Sequence, residues 1–253
     1  MSTVYGPLGE RLGALNQVDV AEVDWLHEAD PDHGMGYFPA GWPAETWVLH
    51  GMWEDPAATD PRDADQQWRE DNPDQVGGRL DVGVVVYGST PFPDPPPPGW
   101  RRLRWRELAE RLNESLDRPH RAPPSSGWFP IRSWPASIQT PPEGTLDNVC
   151  GPRLIDLVAE HTTGGPTTPC FAYYNLLTSP IRMQPSVLTG PLHAILDAAH
   201  QCGWTPTNVW PADRSWLITT DYDLWSTRLA GPPELTAALE GDPELETVRH
   251  HHP

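Results

Sequence analysis

Two imidazoles and three carboxylates lie within seven residues of one another, in the segment 27–33 (His-Glu-Ala-Asp-Pro-Asp-His). Nitrogen and oxygen donors of these types bind Zn²⁺ or Mn²⁺. The candidate metal ligands are His27, Asp30, Asp32 and His33. Pro31 would place them on a turn, but their spacing matches no zinc signature. The competing interpretation is a solvated acidic turn, and we expect no resident cofactor.

A second pair of carboxylates, Asp221 and Asp223, flanks Tyr222. Paired carboxylates carry out acid–base chemistry in glycosidases or bind cations. Trp210 and Trp225 lie close by in the sequence, and exposed tryptophans there would form a cleft in which a sugar could stack. The competing interpretation is a hairpin turn, in which aspartates bond to their own backbone.

Tryptophan is unusually frequent, with 13 in 253 residues. Three segments share a Gly-aromatic-x-Pro…Trp-Pro pattern, at residues 36–43, 127–135 and 203–211. Tryptophans either fill a core or anchor a ligand or partner. The candidate binding tryptophans are Trp42, Trp68, Trp134, Trp210 and Trp225.

The remaining chemistry-bearing residues give no enzyme signature. The three cysteines, Cys150, Cys170 and Cys202, are odd in number and widely spaced, which is typical of reduced structural thiols. The sequence has no nucleophile elbow, phosphate loop or dinucleotide fingerprint. These observations argue against an enzyme and leave the catalytic residues of any enzyme unknown.

The charge balance excludes several classes of partner. The chain has 35 acidic and 17 basic residues and a formal net charge of −18. A nucleic-acid-binding protein or a protein that docks on an anionic membrane needs a basic face. No apolar run is long enough for a transmembrane helix, and the N-terminus lacks the apolar core of a signal peptide. We therefore expect a cytoplasmic protein.

Hydrophobic periodicity predicts the elements that position these residues. The predicted helices are Arg101–Leu116, Leu146–His161, with Asp147 as N-cap, and Leu192–Gln201, ended by Gly203. The predicted strands are Thr46–Trp53, Val82–Tyr87, Cys170–Leu177, Ser215–Thr220 and Leu224–Leu229. The last two strands flank Asp221-Tyr222-Asp223 and form a predicted hairpin.

Together these elements predict an α+β fold with a mixed or antiparallel sheet, flanking helices and long loops that account for the 32 prolines. The recurring pattern favours two duplicated helix–strand–strand–helix halves, residues 1–120 and 121–253. The alternatives are one continuous domain and chance recurrence of Trp-Pro pairs.

The C-terminal stretch resembles a module of uncharacterised actinobacterial proteins. The resemblance rests on Trp210–Trp216, on Asp221–Leu224 and on Asp242–Glu246. The module is also similar to compact α+β modules in the immunity proteins that accompany polymorphic bacterial toxins. The resemblance implies a structural or protein-binding role and names no catalytic residue.

Three functional hypotheses follow. The first is an acidic interaction protein of the immunity type, which binds a basic protein partner through carboxylates and exposed aromatics, with Trp68 in the acidic segment 54–78 as the first place to look. The second is a hydrolase or other enzyme with a tryptophan-lined pocket and carboxylate or metal chemistry. The third is a protein that binds a small ligand or carbohydrate through its aromatic loops. The sequence leaves the oligomeric state open.

Overall fold

The structure, a computed structural model, describes residues 2–5, 11–31, 36–58, 98–116, 137–141, 143–180 and 184–249. Within these residues it contains two antiparallel sheets and five α-helices, which confirms the predicted α+β fold with flanking helices. None of the described helices is long and apolar enough to cross a lipid bilayer.

Twelve strands build the two sheets of the described part. In chain order they are β1 (Ser2–Tyr5), β2 (Arg11–Val18), β3 (Ala44–Leu49), β4 (Met52–Glu54), β5 (Arg101–Leu103), β6 (Ile138–Gln139), β7 (Pro169–Tyr174), β8 (Ser186–Pro191), β9 (Asn208–Pro211), β10 (Leu217–Thr219), β11 (Ser226–Gly231) and β12 (Thr247–Val248). The larger sheet has the order β1-β2-β8-β7-β9-β10-β11-β3-β12, and the smaller one has the order β5-β4-β6.

The helices are α1 (Asp24–Ala29), α2 (Trp105–Arg111), α3 (Cys150–Glu160), α4 (Ala194–Cys202) and α5 (Pro233–Gly241). Single turns of 3₁₀-helix cover Val20–Val23 and Gly165–Thr167. Helices α3, α4 and α5 supply apolar side chains to the main core on one face of the larger sheet. Helix α1 and the unit formed by α2 and the smaller sheet supply theirs to two clusters on the other face.

The side chains of each strand alternate between these faces, as a pleated strand requires. On β7, Ala172 and Tyr174 point into the core with α3 and α4, whereas Phe171 and Tyr173 point toward α1. The larger sheet is therefore buried on both faces, which makes the molecule a three-layer structure.

Two predicted helices and the predicted hairpin are confirmed. Helix α3 lies inside the predicted Leu146–His161, and the side chain of Asp147 accepts hydrogen bonds from the backbone N–H groups of Val149 and Cys150 at its start, each at 2.8 Å. Helix α4 ends at Gly203, whose φ of 78° is the left-handed conformation that glycine tolerates best. Strands β10 and β11 pair antiparallel across the connection that contains Asp221 and Asp223.

The predicted single strand Thr46–Trp53 is wrong, because the chain leaves the larger sheet after Leu49 and starts the smaller sheet at Met52. The buried carboxylate of Asp147 accepts the backbone N–H of Gly51 at 2.5 Å. A Cβ on residue 51 would lie 2.8 Å from that carboxylate oxygen. Glycine at this position allows the close approach that bends the strand.

The predicted helix Arg101–Leu116 is wrong at both ends, since residues 101–103 form β5 and the helix ends at Arg111. Met52 of β4 pairs with Leu103 and fixes the first three residues as a strand. Pairing with a distant strand overrides the helical periodicity of the local sequence.

The sheet topology bears on the proposed halves. Strand β3, from residues 1–120, lies between β11 and β12, from residues 121–253. The Trp-Pro pair precedes the strand in the first copy of the repeated pattern, but ends strand β9 in the third copy. The two ranges therefore share one sheet, and the copies differ in structure. The second copy, at 127–135, and the predicted strand Val82–Tyr87 lie outside the described residues.

Candidate functional site

The structure buries two of the five candidate binding tryptophans. Trp210 is 2% exposed and Trp225 is fully buried. Trp210 stacks on Phe171 with ring centroids 5.6 Å apart, and Trp225 packs against Trp105 at 6.1 Å. The expectation that these two anchor a partner or ligand is wrong, because their strands direct both rings into the interior.

The condition for a tryptophan-lined sugar cleft around Asp221, namely exposed tryptophans, is not met. Trp210 packs in the cluster with α1, Trp225 packs in the cluster with α2, and Trp216 lies in the core with α3. The side chains that are close in sequence are thus divided between separate clusters. Trp68 and Trp134 lie outside the described residues, so their role as anchors stays a prediction.

The carboxylates of Asp221 and Asp223 lie together at the turn between β10 and β11. Asp221 accepts the backbone N–H of Asp223 at 3.4 Å. Burial, together with the neighbouring carboxylate of Asp223, raises the pKa of Asp221 to about 7. A Cβ on Gly36 would lie 3.3 Å from a carboxylate oxygen of Asp221. The pair therefore lies at a closely packed turn, in which Asp221 is half-buried and Asp223 is exposed.

The structure describes two of the four candidate metal ligands, Asp30 and His27, and each contacts a different neighbour. Asp30 accepts the backbone N–H of Phe38 at 2.6 Å, and the ring of His27 lies against Tyr37 at 6.1 Å. Asp32 and His33 lie outside the described residues. Among the residues that are described, no group of three histidine, cysteine or acidic side chains could hold a metal ion.

The chain from Asp19 to Asp30 forms an exposed acidic surface. Asp19 caps the 3₁₀ turn by accepting the N–H of Ala21 at 3.0 Å. Glu22, Asp24 and Glu28 are exposed and form no ion pair within the described ranges. Val23 and Leu26, on the opposite side of the segment, are buried and hold it on the sheet.

Apolar side chains emerge at the same end of the sheet. Strands β2 and β7 both run antiparallel to β8, so they run in the same direction, and Val18 and Tyr173 both pair with Val187. Val20 follows β2 and is 47% exposed, while Leu176 and Leu177 follow β7 and are 41% and 45% exposed. We call the surface formed by Asp19, Val20, Glu22, Asp24, Glu28, Leu176 and Leu177 the acidic face.

Many arginines, by contrast, are engaged within the protein. Arg101, Arg111, Arg153, Arg228 and Arg249 each form an ion pair with a glutamate or aspartate. Hydrogen bonds from Arg101, and also from Arg111, lower the pKa of Glu107 to about 2. These carboxylates are neutralised locally, so the unpaired acids contribute most of the outward negative field.

Trp42, the fifth candidate tryptophan, is half-buried and lines a cavity. The cavity lies where β3 begins and β11 ends, between the loop that carries Trp42 and helix α5. Its wall also contains Phe38 and Arg228. The binding role of Trp42 stays a prediction. The structure places its side chain in the wall of this cavity.

The three cysteines are buried and unpaired. Burial raises the pKa of Cys170 to about 12 and that of Cys202 to about 11, and it raises the pKa of Cys150 as well. A thiol with a raised pKa is protonated at neutral pH and is a poor nucleophile. This agrees with structural roles for all three.

Two residues of the cavity wall, Arg228 and Glu45, are not among the site residues predicted from the sequence. Arg228 is 1% exposed and is paired with Glu45 across neighbouring strands. The available signal was the position of Arg228 in the strand Ser-Thr-Arg-Leu-Ala-Gly, where every other residue is small or apolar. A charged residue inside such a strand requires a partner, although the sequence does not say which one.

Comparisons with protein-family models, with curated proteins and with solved structures find no match to this chain.

Proposed function

We propose that the protein is an acidic interaction protein of the immunity type, which binds a basic protein partner through the acidic face. The observation that carries the proposal is the contrast in charge pairing. Glu22, Asp24 and Glu28 are exposed without ion pairs in the described ranges. Five arginines elsewhere are instead bound to carboxylates: Arg101, Arg111, Arg153, Arg228 and Arg249. The resemblance of the C-terminal stretch to immunity modules agrees with this role.

Electrostatics gives such a surface its first advantage. A net charge of −18 attracts a basic partner over about one Debye length, which is roughly 8 Å at physiological salt. Carboxylates that no arginine neutralises focus this field, and attraction of this kind raises the association rate.

The apolar side chains of the acidic face would supply the affinity for a partner. Charge steers a partner, but affinity comes chiefly from side chains that lose water on contact. Val20, Leu176 and Leu177 are exposed and leave the same end of the sheet as the acidic segment. A partner segment that alternates arginine or lysine with apolar residues would complement this arrangement.

The experiment begins with affinity capture from the native host at low salt and identification of the captured proteins. Each captured protein is then purified, and its dissociation constant is measured against the full chain. We expect one basic protein whose affinity falls steeply when NaCl is raised from about 50 to about 500 mM, because salt screens exposed charges.

Two charge-matched variants locate the surface. Glu22→Arg/Glu28→Arg changes the acidic face, and Asp156→Arg/Glu160→Arg makes the same charge change on the exposed side of α3. We expect the first variant to weaken binding by tenfold or more, about the loss of one or two contacts between close charges, and the second to weaken it much less. Equal losses of affinity in the two variants would show that binding depends on net charge alone, and would overturn the acidic face as the binding surface. The absence of any salt-sensitive basic partner would overturn the function.

A further inference from the structure

The cavity beside Trp42 has the size of a small-molecule site. It has a volume of about 630 Å³, within the range of about 300 to 1,000 Å³ that is typical of ligand pockets. It lies between the loop that enters β3 and helix α5. The side chains that line it include Phe38, Trp42, Glu45, Arg228, Glu240 and Arg249.

One side of the cavity is aromatic and held in place. Phe38 stacks on the buried Trp47 with ring centroids 5.7 Å apart and an angle of 24° between the rings. Trp42 is half-buried, so part of its indole remains available to a ligand. Pro43 and Pro233 add rigid apolar surface. A flat ring is the ligand shape that such a wall favours.

The wall of the cavity also contains a buried cation with an unused donor. The Nε of Arg228 donates to Glu45 Oε2 at 2.9 Å, and its Nη2 donates to the same carboxylate and to the carbonyl oxygen of Pro39. Its Nη1 has no hydrogen-bond partner within the described part of the chain. A buried charged donor without an acceptor is costly. Because Nη1 has less than 1 Å² of accessible surface, a ligand oxygen would remove that cost only by displacing the atoms that cover it.

The charges of the wall argue for an uncharged ligand. Arg228 pairs with Glu45, and Arg249 pairs with Glu240, so the four side chains carry no net formal charge. The net charge of −18 on the whole chain opposes the entry of an anion. Glu45 uses only Oε2 toward Arg228, which leaves Oε1 as an acceptor for an N–H group of a ligand.

We infer that this cavity binds a small, uncharged aromatic amide. The aromatic ring lies against Trp42, the amide oxygen accepts from Arg228, and the amide N–H donates to Glu45. This site is separate from the acidic face, and the inference does not depend on a protein partner.

Three probes that share one ring test the ligand class. Binding of nicotinamide, nicotinate and pyridine to the purified full chain is measured by ligand-observed NMR titration. We expect nicotinamide to bind with a dissociation constant of about 1 to 10 mM, as is usual for so small a ligand, and each of the other two to bind at least tenfold more weakly. Binding of nicotinate as tight as that of nicotinamide would overturn the preference for an uncharged ligand, and failure of nicotinamide to bind at about 20 mM would overturn the site.

Matched variants place the binding event in the cavity. Trp42→Leu removes the exposed ring, whereas Trp204→Leu makes the same change at another half-buried tryptophan that does not line the cavity. We expect the first to abolish nicotinamide binding and the second to leave it unchanged. The double variant Arg228→Met/Glu45→Leu replaces the ion pair with apolar residues and is expected to lose the preference for nicotinamide over pyridine. Circular dichroism shows whether each variant is folded, and an unchanged affinity in folded Trp42→Leu would overturn the assignment.

Discussion

The cavity and the acidic face use the same residue type in opposite ways. In the cavity, Glu45 and Glu240 each bind an arginine, and Arg228 is thereby held in the interior. On the acidic face, Glu22 and Glu28 point into solvent without an ion pair among the described residues. A paired carboxylate positions another group, whereas an unpaired one contributes to the field around the molecule. Net charge alone therefore does not say where a protein is electrostatically active.

The largest expected effect comes from breaking the pair in the cavity. Glu45→Ala leaves Arg228 buried without its counter-ion, and we expect a loss of about 2 to 4 kcal/mol in the free energy of unfolding. This is less than the loss of about 3 to 5 kcal/mol for fully buried ion pairs, because the side chain of Glu45 is 21% exposed. Urea denaturation measures the loss. Glu22→Ala is the control on the acidic face and should change stability by less than about 0.5 kcal/mol. Equal effects at the two sites would remove the distinction between paired and unpaired carboxylates.

Asp147 sharpens the comparison, because it is buried and its carboxylate bonds to backbone groups. Burial by itself would raise the pKa of Asp147, but hydrogen bonds from the N–H groups of Cys150, Gly51 and Val149 outweigh burial, and the pKa is lowered. We expect Asp147→Ala to lower the free energy of unfolding by about 2 to 3 kcal/mol, because buried donors lose their acceptor and α3 loses its cap.

The lowered pKa of Asp147 also predicts a pH dependence. The stabilisation by Asp147 is present above the pKa of an unfolded aspartate and is lost as pH falls through the folded-state pKa. Thermal unfolding of wild type and variant between about pH 3 and about pH 7 tests both points. A variant as stable as wild type would show that water replaces the carboxylate.

Asp221 gives the opposite pH dependence. Its pKa of about 7 in the folded protein lies above that of an unfolded aspartate, so the folded state binds the extra proton. Stability should therefore decrease as pH rises from about 4 to about 7. We expect Asp221→Asn to stabilise the protein by about 1 to 2 kcal/mol at pH near 8, less than the full pKa shift would imply because the carboxylate is partly solvated.

The matched control for Asp221 is Asp213→Asn at the exposed turn between β9 and β10. It makes the same chemical change without a half-buried carboxylate, and we expect it not to reproduce the stabilisation by Asp221→Asn. If both variants altered the pH dependence equally, burial of Asp221 would not be its cause.

The smallest effect is expected on the acidic face itself. Asp24 and Glu28 are four residues apart on α1, where like charges repel by about 0.2 to 0.5 kcal/mol. Glu28→Gln should raise the free energy of unfolding by that amount at low salt, and the gain should vanish at about 0.5 M NaCl. A gain that persists at high salt would indicate a packing effect.

The sequence predicted those elements whose signals are local. Helix α4 carries its own stop signal in Gly203, and the β10–β11 hairpin carries turn residues between two apolar strands. Features that depend on distant residues were missed. The bend at Gly51 requires Asp147, and β5 forms because Leu103 pairs with Met52. Neither partner is visible in the local pattern.

The candidate site shows the same division between local and distant information. Trp42 was singled out by its residue type, and it does line a cavity. Trp210 and Trp225 carried the same signal but are buried, because strand alternation directs their rings inward. Arg228 and Glu45 meet only through the register of β3 and β11, which no short-range pattern of the sequence reveals.

The position of β3 has a consequence for synthesis on the ribosome. Both strands that flank β3 belong to the last part of the chain, residues 226–231 and 247–248. Until those residues have been translated, the backbone groups of β3 lack their strand partners, and the ring of Trp47 is only partly buried. An unpaired apolar strand is prone to associate with other chains. The nascent protein therefore leaves β3 unpaired until residues 226–248 have been translated, an interval in which a chaperone would protect this strand.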